Sequence, residues 1–349
     1  MKVLMKGNEA ICQGAILAGC KAFFGYPITP QSEIPEYMST KMDQNGGAFV
    51  QAESEVAAIN MAYGAAAAGV RVMTSSSSPG IALKQEGISY MAGADLPCVI
   101  VNVSRAGPGL GGILPSQADY FQATRGGGNG DYYVPVFAPA SAGEALELMI
   151  KAFNIADIYR TPVMVLADGM LGQMMEPVEV PDQEPTYIKK PWAANGDSEN
   201  RPRNVITSLD LNGQGMEAKN LARFDRYNLI KQKESMAENT VKDGDRIAIV
   251  AYGTPARIVK NAIEILDKKG IKAGLVRPIT LWPFPEKEFY NLPDSVKNVL
   301  VCELSMGQMV DDVKIAIGRK YPVDFYGRTG GMVFTPEEIV EKVKDILEV

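Results

Sequence analysis

The sequence predicts an α/β protein built on largely parallel sheets, and three observations carry that expectation. Continuous apolar runs recur, most plainly Leu-Pro-Cys-Val-Ile-Val-Asn-Val at 96–103; such runs suit strands buried on both faces of a parallel sheet. Between them lie segments with helical spacing of apolar residues, as at Ala145, Leu148, Met149, Ala152, Phe153 and Ala156. The two kinds of segment alternate from the start of the chain to about residue 170, the pattern of a parallel sheet with helices on both faces.

Taken in order, Gly7 and Asn8 open a first helix that Gly19 ends, and a strand follows at 21–25. Thr29-Pro30 then reads as an N-cap with proline at the first helical position. The competing reading is a loop that presents a hydroxyl at the carboxyl end of a strand, where open α/β sheets bind ligands. A helix over 32–42 and a strand over 48–51 come next. Residues 50–80 form the most informative stretch: an acidic turn with Glu53 and Glu55, a helix of very small residues over 56–68, and a strand over 70–74 ending in four serines and Pro79-Gly80. A carboxylate at a helix start is favoured by the dipole, so the acid is explained by position alone unless other features assign it chemistry.

A helix over 81–92 leads into the 96–103 strand, which delivers Arg105 into the glycine-rich loop Arg-Ala-Gly-Pro-Gly-Leu-Gly-Gly. The loop resembles half of a dinucleotide fingerprint, but Pro115 interrupts any long helix behind it and no acidic partner follows at the required distance. Arg105 reads either as a surface ion pair or as a two-donor fork for a carboxylate. A short helix over 116–123, a second glycine loop at 126–131, a strand over 135–138, a helix over 141–159 and a strand over 161–167 complete the first unit.

The prolines between 177 and 204 mark a linker or surface arm. A charged helix over 216–240 carries Leu221, Phe224, Tyr227 and Ile230 on one stripe. A second α/β unit begins at Gly244-Asp245. It has strands over 246–252, 273–276, 298–303 and 323–326, and helices over 255–269, 309–319 and 336–347. The expected organisation is therefore a domain over 1–180, a linker over 181–244 and a smaller domain over 245–349.

Composition excludes several classes of function. The chain has 349 residues, 46% of them apolar, enough for about two cores. The net charge of −6, with no basic block, argues against nucleic acid as a partner. No apolar run is long enough for a membrane span, and the first residues lack the apolar core of a signal peptide, so the expected location is the cytoplasm. Cys12, Cys20, Cys98 and Cys302 are scattered without C-x-x-C spacing, so no zinc or iron–sulfur site is expected from this chain and no metal ligand is assigned. There is no histidine. Ser-His and Cys-His pairs are thereby excluded, and acid–base chemistry falls to carboxylates, Lys, Tyr, or groups on a cofactor or partner.

The segments GNEAICQGAILAGC, GYPITPQSE, QAESEVAA, TSSSSPGIALKQEGISYMAGADLPCVIVNVSRAGPG, SQADYFQATRGGGNGDY, AYGTPAR, VRPITLWPFP and ELSMGQM occur in this order. Together they resemble the alpha-type subunit of 2-oxoacid:ferredoxin oxidoreductases over essentially the whole chain, with the nearest likeness to the branched-chain, 2-oxoisovalerate branch. The resemblance implies a thiamine diphosphate-binding fold, its pyrimidine-binding domain followed by a transketolase C-terminal-like α/β domain. It implies an oxidoreductase of anaerobic metabolism that converts a 2-oxoacid and coenzyme A to acyl-CoA, with electrons passing to ferredoxin. The cofactor it implies is thiamine diphosphate, shared with a beta-type subunit that would hold the diphosphate and Mg²⁺. A gamma subunit and a ferredoxin-like subunit complete the hetero-oligomer, and the iron–sulfur clusters lie on partner subunits.

The resemblance further implies site residues. Glu55 maps onto the glutamate that hydrogen-bonds the cofactor's ring nitrogen, favours its imino tautomer and so promotes ylid formation, with Glu53 the alternative. Thr29 maps onto an active-site threonine in the loop Tyr26-Pro27-Ile28-Thr29, and Arg105 onto the arginine that binds the substrate carboxylate. Ser78 and Asn102 line the same pocket. Within the family a 2-oxoglutarate or pyruvate specificity is the alternative; outside it stand a non-catalytic assembly subunit and, resting on the glycine loop alone, a nucleotide-binding dehydrogenase.

Overall fold

The computed structural model describes residues 2–196 and 201–349. The chain begins β1 (Lys2–Lys6), α1 (Gly7–Leu17), β2 (Ala22–Gly25), α2 (Glu33–Gln44), β3 (Ala48–Gln51), α3 (Glu55–Ala67), β4 (Val72–Ser76), α4 (Ser78–Gly93) and β5 (Cys98–Ser104). It continues through α5 (Tyr120–Arg125), β6 (Val136–Phe137), α6 (Ala142–Tyr159), β7 (Pro162–Asp168), α7 (Gly169–Gln173) and β8 (Met175–Glu179). Then come α8 (Gly213–Lys233), β9 (Ala237–Asn239), β10 (Ile247–Val250), α9 (Gly253–Lys268), β11 (Ala273–Pro278), β12 (Thr280–Trp282) and α10 (Lys287–Tyr290). The last elements are β13 (Asn298–Glu303), α11 (Met309–Ile317), β14 (Val323–Gly327) and α12 (Pro336–Leu347).

A seven-stranded sheet has the order β12-β6-β7-β5-β4-β2-β3. Its strands are parallel except at the β12 edge, where Thr280 pairs antiparallel with Phe137. Every residue of β5 and β7 is buried, as their unbroken apolar character requires. A five-stranded sheet, β14-β13-β10-β11-β9, is likewise parallel except at β9. Two short strands thus trade places: β9, from the stretch read as linker, closes the second sheet, and β12, from the C-terminal unit, extends the first. The small antiparallel pair β1–β8 has no counterpart in the sequence reading; its strands lie far apart in sequence and expose half of their side chains.

Polar contacts join the two sheets. The Gln117 side chain donates to Tyr252 O (3.0 Å) and accepts from Leu304 N (3.0 Å). Arg277 grips Glu144 with both terminal nitrogens at 2.9 Å, a two-donor geometry that fixes orientation as well as contributing energy. On α8, Tyr227 and Ile230 are buried as the stripe predicts, but Leu221 is exposed, because the N-terminal half of this helix lies out in solvent. No helix among the described residues is long and apolar enough to cross a membrane.

Candidate active site

Strands β5, β4, β2 and β3 are neighbours in that order, and all run parallel. Their carboxyl ends therefore share one edge of the sheet, the edge where open α/β sheets place ligands. The chain leaves β5 at Arg105, β4 at the serines, β2 at Tyr26 to Thr29, and β3 at Glu55. Sheet order thus assembles residues that the sequence spreads over some eighty positions.

Glu55 is the first residue of α3, whose N-cap Ser54 accepts a hydrogen bond from Ala57 N at 3.1 Å. It is 7% exposed, whereas Glu53 faces solvent. The contrast follows from the capped turn: Glu53 precedes it, while Glu55 points inward against α4. There the carboxylate lies over Gly80, whose missing Cβ would stand 2.7 Å from Glu55 Oε1 and 2.0 Å from Ser76 Oγ. Among the described residues nothing hydrogen-bonds the Glu55 carboxylate, and the buried hydroxyls of Ser76 and Ser77 have no partner either. Buried polar groups are nearly always paired, so the two unpaired hydroxyls beside the Glu55 carboxylate mark this cluster as a candidate site.

The Tyr26–Thr29 loop is half-exposed to exposed, yet it is pinned from beneath. Gln31, fully buried, donates through its side chain to Tyr26 O (3.1 Å), donates its N–H to Ile28 O (3.0 Å), and accepts from Ser75 Oγ (2.6 Å). This corrects the reading of Thr29-Pro30 as a helix start. Asn8 Nδ2 takes the Pro30 carbonyl at 2.9 Å, and the helix begins only at Glu33, after Ser32. Thr29 is left free of capping duty and lines an open cleft of about 460 Å³ with Pro30, Ile113, Leu114, Pro115 and Met170.

Arg105 is buried rather than carried outward. Its Nη1 donates to Thr29 O (2.9 Å) and its Nη2 to Leu110 O (3.0 Å), while Nε is buried without a partner. Two of the five guanidinium donors are thus spent on backbone, leaving three. The glycine loop folds over the arginine, closed by Ala106 N to Leu114 O (3.0 Å) and Gly112 N to Ala106 O (2.8 Å). Ser78 works inside the chain: its hydroxyl donates to Asp119 Oδ2 (2.6 Å) and accepts from Arg105 N (2.9 Å). Asn102 joins the same network through Ser78 N (3.1 Å) and Asp119 Oδ2 (2.8 Å). Burial pushes the Asp119 carboxyl above the usual carboxylate range, against the hydrogen bonds from Ser78 and Asn102 that favour its charge. Thr29, Arg105 and Ser78 are therefore physically linked. Glu55 sits beside them at the first turn of α4, and neither it nor Arg105 lines the cleft that Thr29 opens onto.

The fold belongs with thiamine diphosphate-binding proteins: residues 13–242 match the family described as pyruvate flavodoxin/ferredoxin oxidoreductase, thiamine diphosphate-binding, and residues 246–339 match pyruvate:ferredoxin oxidoreductase core domain II. The chain belongs to this family of 2-oxoacid:ferredoxin oxidoreductase subunits. It is 46% identical to the ketoisovalerate oxidoreductase subunit VorB of Methanothermobacter thermautotrophicus over 98% of this chain and 97% of that protein. A solved structure of the 2-oxoglutarate:ferredoxin oxidoreductase from Magnetococcus marinus, with 2-oxoglutarate, coenzyme A and succinyl-CoA bound, superposes with a TM-score of 0.89 at 28% identity. That match covers 99% of this chain but 65% of the other. A split gene transketolase, an inactive β4 tetramer, shares the fold at a TM-score of 0.59 and 16% identity, covering 98% of this chain and 96% of that one.

The residues fit such a cofactor on this structure's own terms. Glu55 has an unpaired, nearly buried carboxylate, and the hydroxyls beside it are unpaired too. Among the described residues no cluster of Asp, Glu or Cys is placed to hold a metal ion. Sequence reasoning missed Gln31, Asp119 and Lys84. Gln31 and Asp119 are polar residues in loops with nothing local to mark them. Lys84 alone left a signal: a lysine inside an apolar, serine- and glycine-rich helical stretch.

Proposed function

We propose that this chain is the pyrimidine-side subunit of an oxidoreductase that converts a branched-chain 2-oxoacid, 3-methyl-2-oxobutanoate first among them, and coenzyme A to the acyl-CoA and carbon dioxide, with ferredoxin as electron acceptor. The observation that carries the specificity is the cleft beside Thr29. Its apolar lining includes Ile113, Leu114, Pro115 and Met170, and its one charged lining residue, Glu33, is an anion already engaged by Lys6 Nζ (3.0 Å). An aliphatic acyl chain suits those walls, whereas a second substrate carboxylate meets no unpaired cation there and faces Glu33. The likeness to a ketoisovalerate enzyme over the whole chain supports the same choice.

In this reading the first unit, to about residue 180, serves the pyrimidine ring. A beta-type partner holds the diphosphate and Mg²⁺, and gamma and ferredoxin-like subunits bring the iron–sulfur clusters in a cytoplasmic complex. Bound thiamine diphosphate supplies the nucleophilic carbon and the electron sink for decarboxylation. Glu55 holds and returns a proton at the pyrimidine ring nitrogen, a role for which its unpaired carboxyl is suited and which needs no histidine. The loop Tyr26-Pro27-Ile28-Thr29 shapes the approach to the ring. Arg105 offers its remaining donors to the substrate carboxylate and at the same time fixes Thr29 O, and Ser78 holds the Arg105 backbone.

The complex reconstituted with its partner subunits, assayed by viologen reduction across a panel of oxoacids, is expected to prefer 3-methyl-2-oxobutanoate over 2-oxoglutarate by at least 10²-fold in kcat/KM, the scale on which an uncompensated polar mismatch discriminates. A preference for 2-oxoglutarate or pyruvate would overturn the branched-chain reading. Arg105→Lys is expected to raise the oxoacid KM by roughly tenfold, since it keeps a charge but loses the planar fork and about one charge-assisted hydrogen bond. An unchanged KM would remove Arg105 from carboxylate binding.

A further inference from the structure

Lys84 lies on α4 at 0% exposure. Burying an ammonium ion costs several kcal/mol after relaxation, and it is rarely kept without a partner charge. No carboxylate lies within ion-pair distance of it among the described residues. Its Nζ donates to Thr74 Oγ1 (2.6 Å) and to Ser75 O (2.9 Å), at the end of β4. The Thr74 hydroxyl passes its own proton to Phe24 O (2.6 Å), so toward Lys84 it acts only as an acceptor. One of the three ammonium donors remains unassigned.

The ionisable groups acting on Lys84 are Glu55 from α3 and Cys98 from β5. Cys98 is a buried thiol that burial pushes up to about 12, so it stays neutral near pH 7. Glu55 is then the charge that Lys84 faces. The helix explains why: Gly80 and Lys84 stand one turn apart on the same face of α4. The Glu55 carboxylate crosses that face over Gly80, in contact distance of where a Cβ would be. Ser76, Gly80, Lys84 and Glu55 thus form one buried cluster between β4, α3 and α4.

We propose that Lys84 is a positioning residue that acts through Glu55: a buried cation on the helix face that the Glu55 carboxylate crosses, which sets the field in which that carboxylate and the cofactor's pyrimidine nitrogen share a proton. The proposal rests on the assignment of Glu55 above. A cation on this side of the shared proton stabilises negative charge at the protein end of the hydrogen bond and so favours the proton residing on the ring. Burial lowers the Lys84 ammonium from its ordinary value to about 7, even though Glu55 pulls it upward. The support for Glu55 is therefore in place below that pH and is withdrawn above it. The sign for stability runs the other way. With the folded-state value below the unfolded one, the unfolded chain holds an extra proton above pH 7, so stability gains from this residue as pH rises through 7 toward 10.

The test is Lys84→Met in the reconstituted complex, with three measurements. The isolated chain is expected to melt at the same temperature or higher at pH 6.5, because Met fills the volume without a buried charge. In the complex, kcat is expected to fall about 10- to 100-fold with the oxoacid KM unchanged, and the alkaline limb of the pH–kcat profile is expected to disappear. The tautomer-sensitive near-ultraviolet circular dichroism of the bound cofactor, read without substrate, is expected to shift in the same variant. A lowered melting temperature with wild-type turnover per folded complex would make Lys84 a structural strut and overturn the proposal. An unchanged pH profile and dichroism would overturn it equally. Glu55→Gln separates the two assignments: if that variant loses turnover while Lys84→Met behaves as wild type, the role of Glu55 stands and that of Lys84 fails; if Glu55→Gln turns over normally, both fail.

Discussion

Glu55→Gln in the reconstituted complex is expected to lower turnover by roughly 10²- to 10⁴-fold, the range that a positioned proton-transferring group contributes. Gln keeps the length of the side chain and its ability to donate or accept a hydrogen bond. It removes the negative charge and with it the capacity to hold and return a proton. Above pH 7, where burial leaves Lys84 neutral and no cation loses its counter-charge, the isolated variant is expected to melt within a few degrees of the parent. Losing a negative charge from the first turn of α3 costs about 0.3–1 kcal/mol of dipole interaction. Against this, the amide removes the need to hold a charge at 7% exposure without a hydrogen-bond partner. The two effects oppose each other. Glu53→Gln is the matched comparison, because Glu53 sits two residues away and faces solvent. Wild-type turnover by Glu55→Gln together with loss in Glu53→Gln would move the role to Glu53.

The parts of this fold legible in the sequence are those in which one element's own pattern decides its state. The fully buried strand β5 and the capped amphipathic helix α12, closed by Thr335 and Glu338, are of this kind. The burial of Glu55 relative to Glu53 is not of this kind: in the sequence both fall in one acidic turn, and the Ser54 cap that separates them is seen only in the structure. What stayed hidden depends on partners distant in sequence. The strand β1 exists because β8 returns to pair with it about 170 residues later. Thr29-Pro30 carries every local mark of a helix start, and it fails to be one because Asn8 takes the Pro30 carbonyl. Arg105 reads as an outward arm, yet its own glycine loop and the Thr29 carbonyl close over it. Asp119 has no local signal at all; its importance arises only when β4 and β5 bring Ser78 and Asn102 to it. Sheet order, which no local pattern encodes, is what converts four separate loops into one site.

Gly80→Ala tests that assembly at its narrowest point. In an unconstrained helix the change is stabilising by about 0.5–1 kcal/mol, because alanine has less backbone freedom to lose. Here the new Cβ would stand 2.0 Å from Ser76 Oγ, 2.7 Å from Glu55 Oε1 and 3.0 Å from Glu55 Cγ, so something must move. The Ser76 hydroxyl has no hydrogen bond to lose and can rotate to another well. The Glu55 side chain is anchored at the start of α3, and its carboxylate has to swing off the face of α4. A displacement of about 1 Å in a reacting group is worth roughly 10² in rate. Turnover is therefore expected to fall by about two orders of magnitude, with the oxoacid KM little changed, since Thr29 and Arg105 belong to other loops. Far-ultraviolet circular dichroism and the melting temperature of the chain are expected to stay near the parent's, the gain in helix propensity offsetting the crowding. The same substitution in a Ser76→Ala background distinguishes the two contacts. If the loss persists there, the displaced Glu55 is its cause, whereas recovery would assign it to the serine. Wild-type turnover in Gly80→Ala would mean that the carboxylate's place over α4 is irrelevant to catalysis, and the site would have to be rebuilt without it.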